Sequence, residues 1–125
     1  MLSKAQVLKA REAVERMYTG TCMVTEHQKV KSGASKLVTY ADKVVLEDQP
    51  CRLSFKGLDS AQQTESAAGI AQVIKLFLAP DIAVRPGSKV TVTQDGVTAD
   101  YRCSGVPAVY PTHQEIILEL FERWA

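Results

Sequence analysis

Residues 88–103, "SKVTVTQDGVTADYRC", decide the fold class. Two runs of alternating apolar and polar residues flank Asp95-Gly96. A two-residue turn of this type needs positive φ at both central positions, which glycine takes freely and aspartate tolerates. Placing the turn there sets Gln94 opposite Val97, Val92 opposite Ala99, Val90 opposite Tyr101 and Lys89 opposite Arg102. Side chains alternate across a strand, so Val90, Val92, Val97, Ala99 and Tyr101 share one face. Lys89, Thr91, Thr93, Thr98, Asp100 and Arg102 share the other. A one-residue slip would mix the two sets, so pattern and turn specify the same register. Lys89 facing Arg102 is mildly unfavourable, and Asp100, diagonal to Lys89, offsets it.

The rest of the chain keeps this β texture. "TCMVTEHQKV" (21–30) lacks a helical period, and "KLVTYADKVVLEDQPCRLSFK" (36–56) supplies further short strand candidates. Pro50 marks a strand start or an edge, because it cannot donate to a ladder. "IAQVIKLFLAP" (70–80) reads as a strand ended by Pro80-Asp81. After Pro107 and Pro111, Ile116, Leu118 and Leu120 alternate as in a strand, while Ile117, Leu120, Phe121 and Trp124 fit a helix; a strand over about 113–121 is the favoured reading. "KVKSGASK" (29–36) reads as a hairpin tip or longer loop, with Lys29, Lys31 and Lys36 around small residues. "GLDSAQQTESAAG" (57–69) is a second loop candidate, with a short helix as the other reading.

Residues 3–18 carry the one strong helix signal. Ser3 and Gln6 have capping-box spacing, and Val7, Ala10, Val14, Met17 and Tyr18 recur at three- and four-residue steps. Arg11 with Glu15, and Glu12 with Arg16, are i,i+4 pairs of opposite charge. Thr19-Gly20 is expected to stop the helix, with glycine as a left-handed cap. Such a helix packs over one side of a sheet, or docks in part on a neighbouring subunit. The expected fold is therefore mainly β (α+β): a small antiparallel barrel or sandwich of about six strands with one N-terminal helix. A single domain covers 1–125, with the helix in 1–20 and the β body in 21–125. The chain's 125 residues suit one domain and one core.

Composition excludes more functions than it names. Net charge is +1, so no global basic field marks a nucleic-acid binder, and any such contact is local. The longest apolar stretch is broken by Gln72 and Lys75 and is too short to span a bilayer. The N-terminus lacks the apolar segment of a signal peptide, which predicts an intracellular origin without membrane contact. Cys22, Cys51 and Cys103 cannot all pair within the chain and read as reduced core thiols. With His27 and His113 they have no metal-ligand spacing, so no metal or cofactor is expected. Cys103, at a strand end, is the thiol to test first, but no nucleophile signature surrounds it. The glycines form no phosphate-cradling loop, and no catalytic residues are assigned. Base-stacking barrels line a basic groove with exposed aromatics, whereas the 88–103 hairpin exposes threonines.

Taken together, "VVLEDQPCRLSFK" (44–56), "IKLFLAPDI" (74–82), "PGSKVTVTQDGVTADYRCSG" (86–105) and "PAVYPTHQEIILELFERWA" (107–125) resemble a family of tailed-bacteriophage neck proteins. These are the head-closure or head-tail connector proteins of phage-like prophage elements in Gram-positive bacteria. The resemblance covers nearly the full length, including "YTGTC" at 18–22. It implies a structural virion protein, not an enzyme: a ring of about twelve copies or a related number. The ring assembles in the host bacterial cytoplasm on the portal-bound adaptor after packaging, retains double-stranded DNA, and offers a docking surface to the tail terminator or tail tube. A tail-completion (terminator) protein is the alternative within the class, and a stand-alone nucleic-acid-binding barrel the alternative outside it. Under the ring reading, Lys29, Lys31 and Lys36 face DNA in the channel, Phe121 and Trp124 dock on a partner ring, and 57–69 suits subunit contact.

Overall fold

The computed structural model describes residues 2–31, 38–57 and 72–124. Helix α1 (Lys4–Glu15) is followed by β1 (Gly20–Lys31), β2 (Val38–Gly57), β3 (Gln72–Leu78), β4 (Lys89–Gln94), β5 (Val97–Cys103), β6 (Ala108–Val109) and β7 (Gln114–Leu120). Neighbouring strands run β3-β2-β1-β4-β5-β7, and β7 returns to pair with β3. Six antiparallel strands thus close into a barrel, with the two-residue β6 appended to β7. Closure pairs β3 on both sides, with β2 and with β7, and so covers the edges where the sheet meets itself.

The hairpin adopts the register its sequence specifies. Asp95 and Gly96 have φ of 52° and 77°, and Lys89↔Arg102, Val90↔Tyr101, Val92↔Ala99 and Gln94↔Val97 are all paired. Val90, Val92 and Tyr101 enter the core, while Val97 at the tip stays 65 % exposed. Outside, Asp100 accepts from Thr91 at 2.7 Å and lies 3.7 Å from the Lys89 ammonium. Each barrel strand contributes an alternating pair to the interior: Cys22 and Val24, Cys51 and Leu53, Leu76 and Leu78, Val90 and Val92, Tyr101 and Cys103, Ile116 and Leu118. Burying a large aliphatic side chain of this kind is worth about 1.5–3 kcal/mol.

One side chain completes the sheet where β1 ends. Beyond Gly20 no β1 residue separates β4 from β2, and the Gln94 amide fills the gap. Gln94 Oε1 accepts from the Leu53 N–H at 2.8 Å, and Gln94 Nε2 donates to the Leu53 carbonyl at 3.2 Å. Gly20 makes room for it, since a Cβ there would lie 3.1 Å from Gln94 Oε1 and from the Thr93 carbonyl. Replacing Gln94 with alanine strands both backbone groups of Leu53, so a loss of about 1–3 kcal/mol is expected in a denaturant titration.

Two boundaries differ from expectation. The capping box forms, with Ser3 N–H to Gln6 Oε1 at 2.9 Å and Gln6 N–H to Ser3 Oγ at 3.2 Å, but α1 ends at Glu15. A tight turn through Arg16–Tyr18 follows, and Gly20 opens β1 because its value lies in the Gln94 contact. No residue of α1 is buried. Val7, Ala10 and Val14 are half-covered, Met17 is exposed, and Arg11 ties the helix to Asp81 at 3.0 Å. The expected short strands of 36–56 are one 20-residue strand. Asp48 takes φ of 50°, and the β1–β2 register shifts between Cys22 and Val24 and again before Thr25. These bulges bend β2 without ending it. Pro50 is tolerated because β3 pairing stops at Cys51, leaving that side of β2 unladdered from Pro50 backward.

Candidate functional site

The bend in β2 carries part of the sheet off the barrel. β4 accompanies β1 only as far as Thr25, and β3 accompanies β2 only from Cys51. Residues 26–31 and 38–43 therefore form a two-stranded ribbon held by its own ladder. Both outer edges are unpaired among the described residues. The register sets His27 opposite Asp42 and Lys29 opposite Tyr40, so these four share one face. His27 Nδ1 lies 2.9 Å from Asp42 Oδ1. The Tyr40 ring stacks on one side of the imidazole, with centroids 4.7 Å apart and planes within 5°. On the other side lies Trp124, at 4.9 Å and 14°.

Trp124 reaches His27 because the chain turns back after β7. The Phe121 N–H donates to the Asp100 carbonyl at 3.3 Å. The Phe121 ring lies 5.0 Å from the Lys89 ammonium and meets Trp124 edge-on at 5.0 Å. Residues 121–124 thus cross the outer face of β5, β4 and β1 as a strap. Thr25, paired with Lys89 and two residues from His27, keeps only 7 % of its surface. Beside the stack lies a cleft of about 570 Å³, lined among others by Glu26, Lys29, Tyr40, Arg85 and Trp124.

The two groups of residues singled out in the sequence thus meet in part. Lys29 is exposed on the ribbon face, and Lys31 is the last residue of β1. Lys36 and the 58–69 part of the second loop candidate lie outside the described residues. Phe121 and Trp124 are half-buried against their own barrel. Sequence reading missed His27 and Tyr40 as partners of Trp124, because the contact joins segments far apart in the chain. The available signal was modest: an apolar-aromatic end after a strand, and one tyrosine in a ribbon of mixed polar and aliphatic residues.

A second polar cluster links β3 to β7. Glu115 accepts from Lys75 at 3.2 Å and lies 2.9 Å from His113 Nε2, while Thr112 Oγ1 is 3.1 Å from His113 Nδ1. Hydroxyl, imidazole and carboxylate follow the bonding order of a nucleophile, base and orienter. Here, however, Lys75 shares the carboxylate and Tyr110 stacks on the imidazole at 5.0 Å, which makes the cluster a clamp. The His113 hydrogen bond, then the Lys75 contacts, hold the Glu115 carboxyl below the usual carboxylate range against the opposing effect of burial. A group with a depressed folded-state pKa stabilises fully above its unfolded pKa, and that contribution fades as pH falls through the folded value. Melting curves should therefore show wild type more stable than Glu115→Gln at neutral pH, with the gap closing on acidification below the ordinary glutamate range.

The three cysteines are buried and unpaired. The contact between Cys22 and Cys51 lowers the Cys22 thiol against the opposing effect of burial, and raises the Cys51 thiol, where burial adds to the rise; burial alone raises Cys103. A thiol raised in this way is a poor nucleophile, which applies to Cys51 and Cys103. Among the described residues no group of three or more His, Cys, Asp or Glu is placed to hold a metal ion. No helix among them is long and apolar enough to cross a membrane.

No protein-family model matches the chain, and no curated protein matches it. Among solved structures, the phage-like element PBSX protein xkdH from Bacillus subtilis is similar over 78 % of this chain and 90 % of its own, at 11 % identity and a TM-score of 0.48. That likeness assigns no role to any residue here.

Proposed function

We infer that the chain is a structural subunit of a phage head-tail connector. It forms the head-closure ring that assembles on the portal or adaptor after packaging, retains the genome and receives the tail. Its sequence resemblance to neck proteins supports this reading. The structural observation that carries it is the ribbon: a closed barrel extends two strand edges that are unpaired among the described residues, with Val30, Val38 and Tyr40 each more than 40 % exposed. Free edges bearing apolar residues invite pairing with another chain unless a partner covers them. Around a ring, one patch meets a different patch on the next copy, and weak contacts gain strength by repetition. The lightly held helix α1 is a further surface of this kind.

Under this reading Lys29, Lys31 and Lys36 face packaged double-stranded DNA, and the strap carrying Phe121 and Trp124 faces the tail side. Removing Arg123–Ala125 strips Trp124 from His27 without touching the core. Heads and tails should then accumulate unjoined, counted by electron microscopy, while the purified monomer keeps its melting temperature. The function as a whole is tested by deleting the gene from its element and inducing it. Filled or leaking heads separate from finished tails are expected, and normal virions would refute the reading.

A further inference from the structure

The Tyr40–His27–Trp124 stack ends openly at Tyr40. One face of that ring lies on His27, yet 56 % of the residue is exposed, and among the described residues no further ring stacks on it. The charges around it balance in number but are unevenly paired. Asp42 is engaged by His27, and Glu26, 16 % exposed at its side chain, faces the Arg85 guanidinium at 4.0 Å. Lys29, directly across the ladder from Tyr40, has no acidic partner within 4 Å among the described residues. The Arg85 side chain is 80 % exposed at the far wall of the adjoining cleft. An exposed π face with an ammonium free of close acidic contact beside it, and an exposed guanidinium only loosely held by Glu26 across an open cleft, is a combination suited to unpaired nucleotides. Bases stack on the ring, and phosphates meet the cations. A duplex offers no base face except at its ends.

We propose that Tyr40, backed by His27 and Trp124 and flanked by Lys29 and Arg85, is a stacking site for unpaired bases of DNA. This rests on the reading of the ribbon as the DNA-facing element, and it adds that the ribbon holds a frayed or single-stranded end as well as the duplex backbone. Pre-stacking suits the task. His27, itself held by the Trp124 ring and the Asp42 bond, backs one face of Tyr40, so less freedom remains to be lost when a base arrives.

The test uses the full chain and its one tryptophan, whose fluorescence reports the far end of the stack. Oligo(dT) titrated at low salt should change Trp124 emission and bind more tightly than a hairpin-capped duplex of equal charge. Tyr40→Leu should weaken oligo(dT) binding by roughly ten-fold or more, Tyr40→Phe should keep it, and neither change should alter duplex binding. Lys29→Ser should weaken both ligands and flatten their salt dependence. Equal affinity of wild type and Tyr40→Leu for oligo(dT) would overturn the stacking site while leaving the DNA-facing ribbon intact. Absence of both single-strand and duplex binding would overturn the two together.

Discussion

Replacing Leu76 with alanine should cost the barrel about 2–5 kcal/mol. A drop of roughly 10 °C or more in melting temperature is expected for a chain of this size. Leu76 is fully buried at the seam where the barrel closes, paired with Leu53 on β2 and with Ile116 on β7. Truncation there removes contacts from both neighbours at once, and a closed barrel relaxes poorly into a void because its strands are tied on both sides. Leu76→Met keeps volume and should lose less than about 1.5 kcal/mol. Leu120→Ala, at a residue 69 % exposed on the last position of β7, should stay within about 0.5 kcal/mol of wild type. A Leu76→Ala protein that melts with wild type would show that the β3–β7 seam does not hold the fold.

The largest functional effect belongs to the lysines. Changing Lys29, Lys31 and Lys36 together to serine should leave heads that fill and then lose their DNA, read as nuclease-accessible genome in purified heads. Duplex DNA presents about one charge per 1.7 Å, so three cations per subunit, repeated around a ring, amount to a substantial collar. The salt dependence of duplex binding should also fall, with a slope lower by about 2–3 per subunit. Full DNA retention in the triple variant would remove the lysines from the channel. The barrel should fold normally in that variant, since Lys29 is exposed on the ribbon and outside the core.

What could be read from the sequence was local. Asp95-Gly96 fixes two positive φ values and the flanking alternation fixes the faces, so the hairpin register follows without knowledge of the remainder. Ser3 and Gln6 announce the helix start for the same reason, and the alternation of Ile116 with Leu118 favours β7 over the helical pattern of Ile117, Leu120, Phe121 and Trp124. The misses are non-local. Gly20 resembles a helix cap until the Gln94 side chain is seen beside it. Pro50 resembles punctuation until β1 is seen to run past it, with bulges near Asp48 absorbing the irregularity. His27 looks like a solitary imidazole, and its role is set by Tyr40 across the ladder and Trp124 from the far end of the chain. Leu120 continues the β7 alternation, yet it is exposed because the strand reaches the barrel's rim.

Cryo-electron microscopy of the particles that carry this chain is the most direct measurement. The account predicts a ring of these barrels between portal and tail, heterologous contacts through ribbon edges and α1, and lysine-bearing tips turned inward. Intact particles whose neck contains no density for this barrel would contradict it.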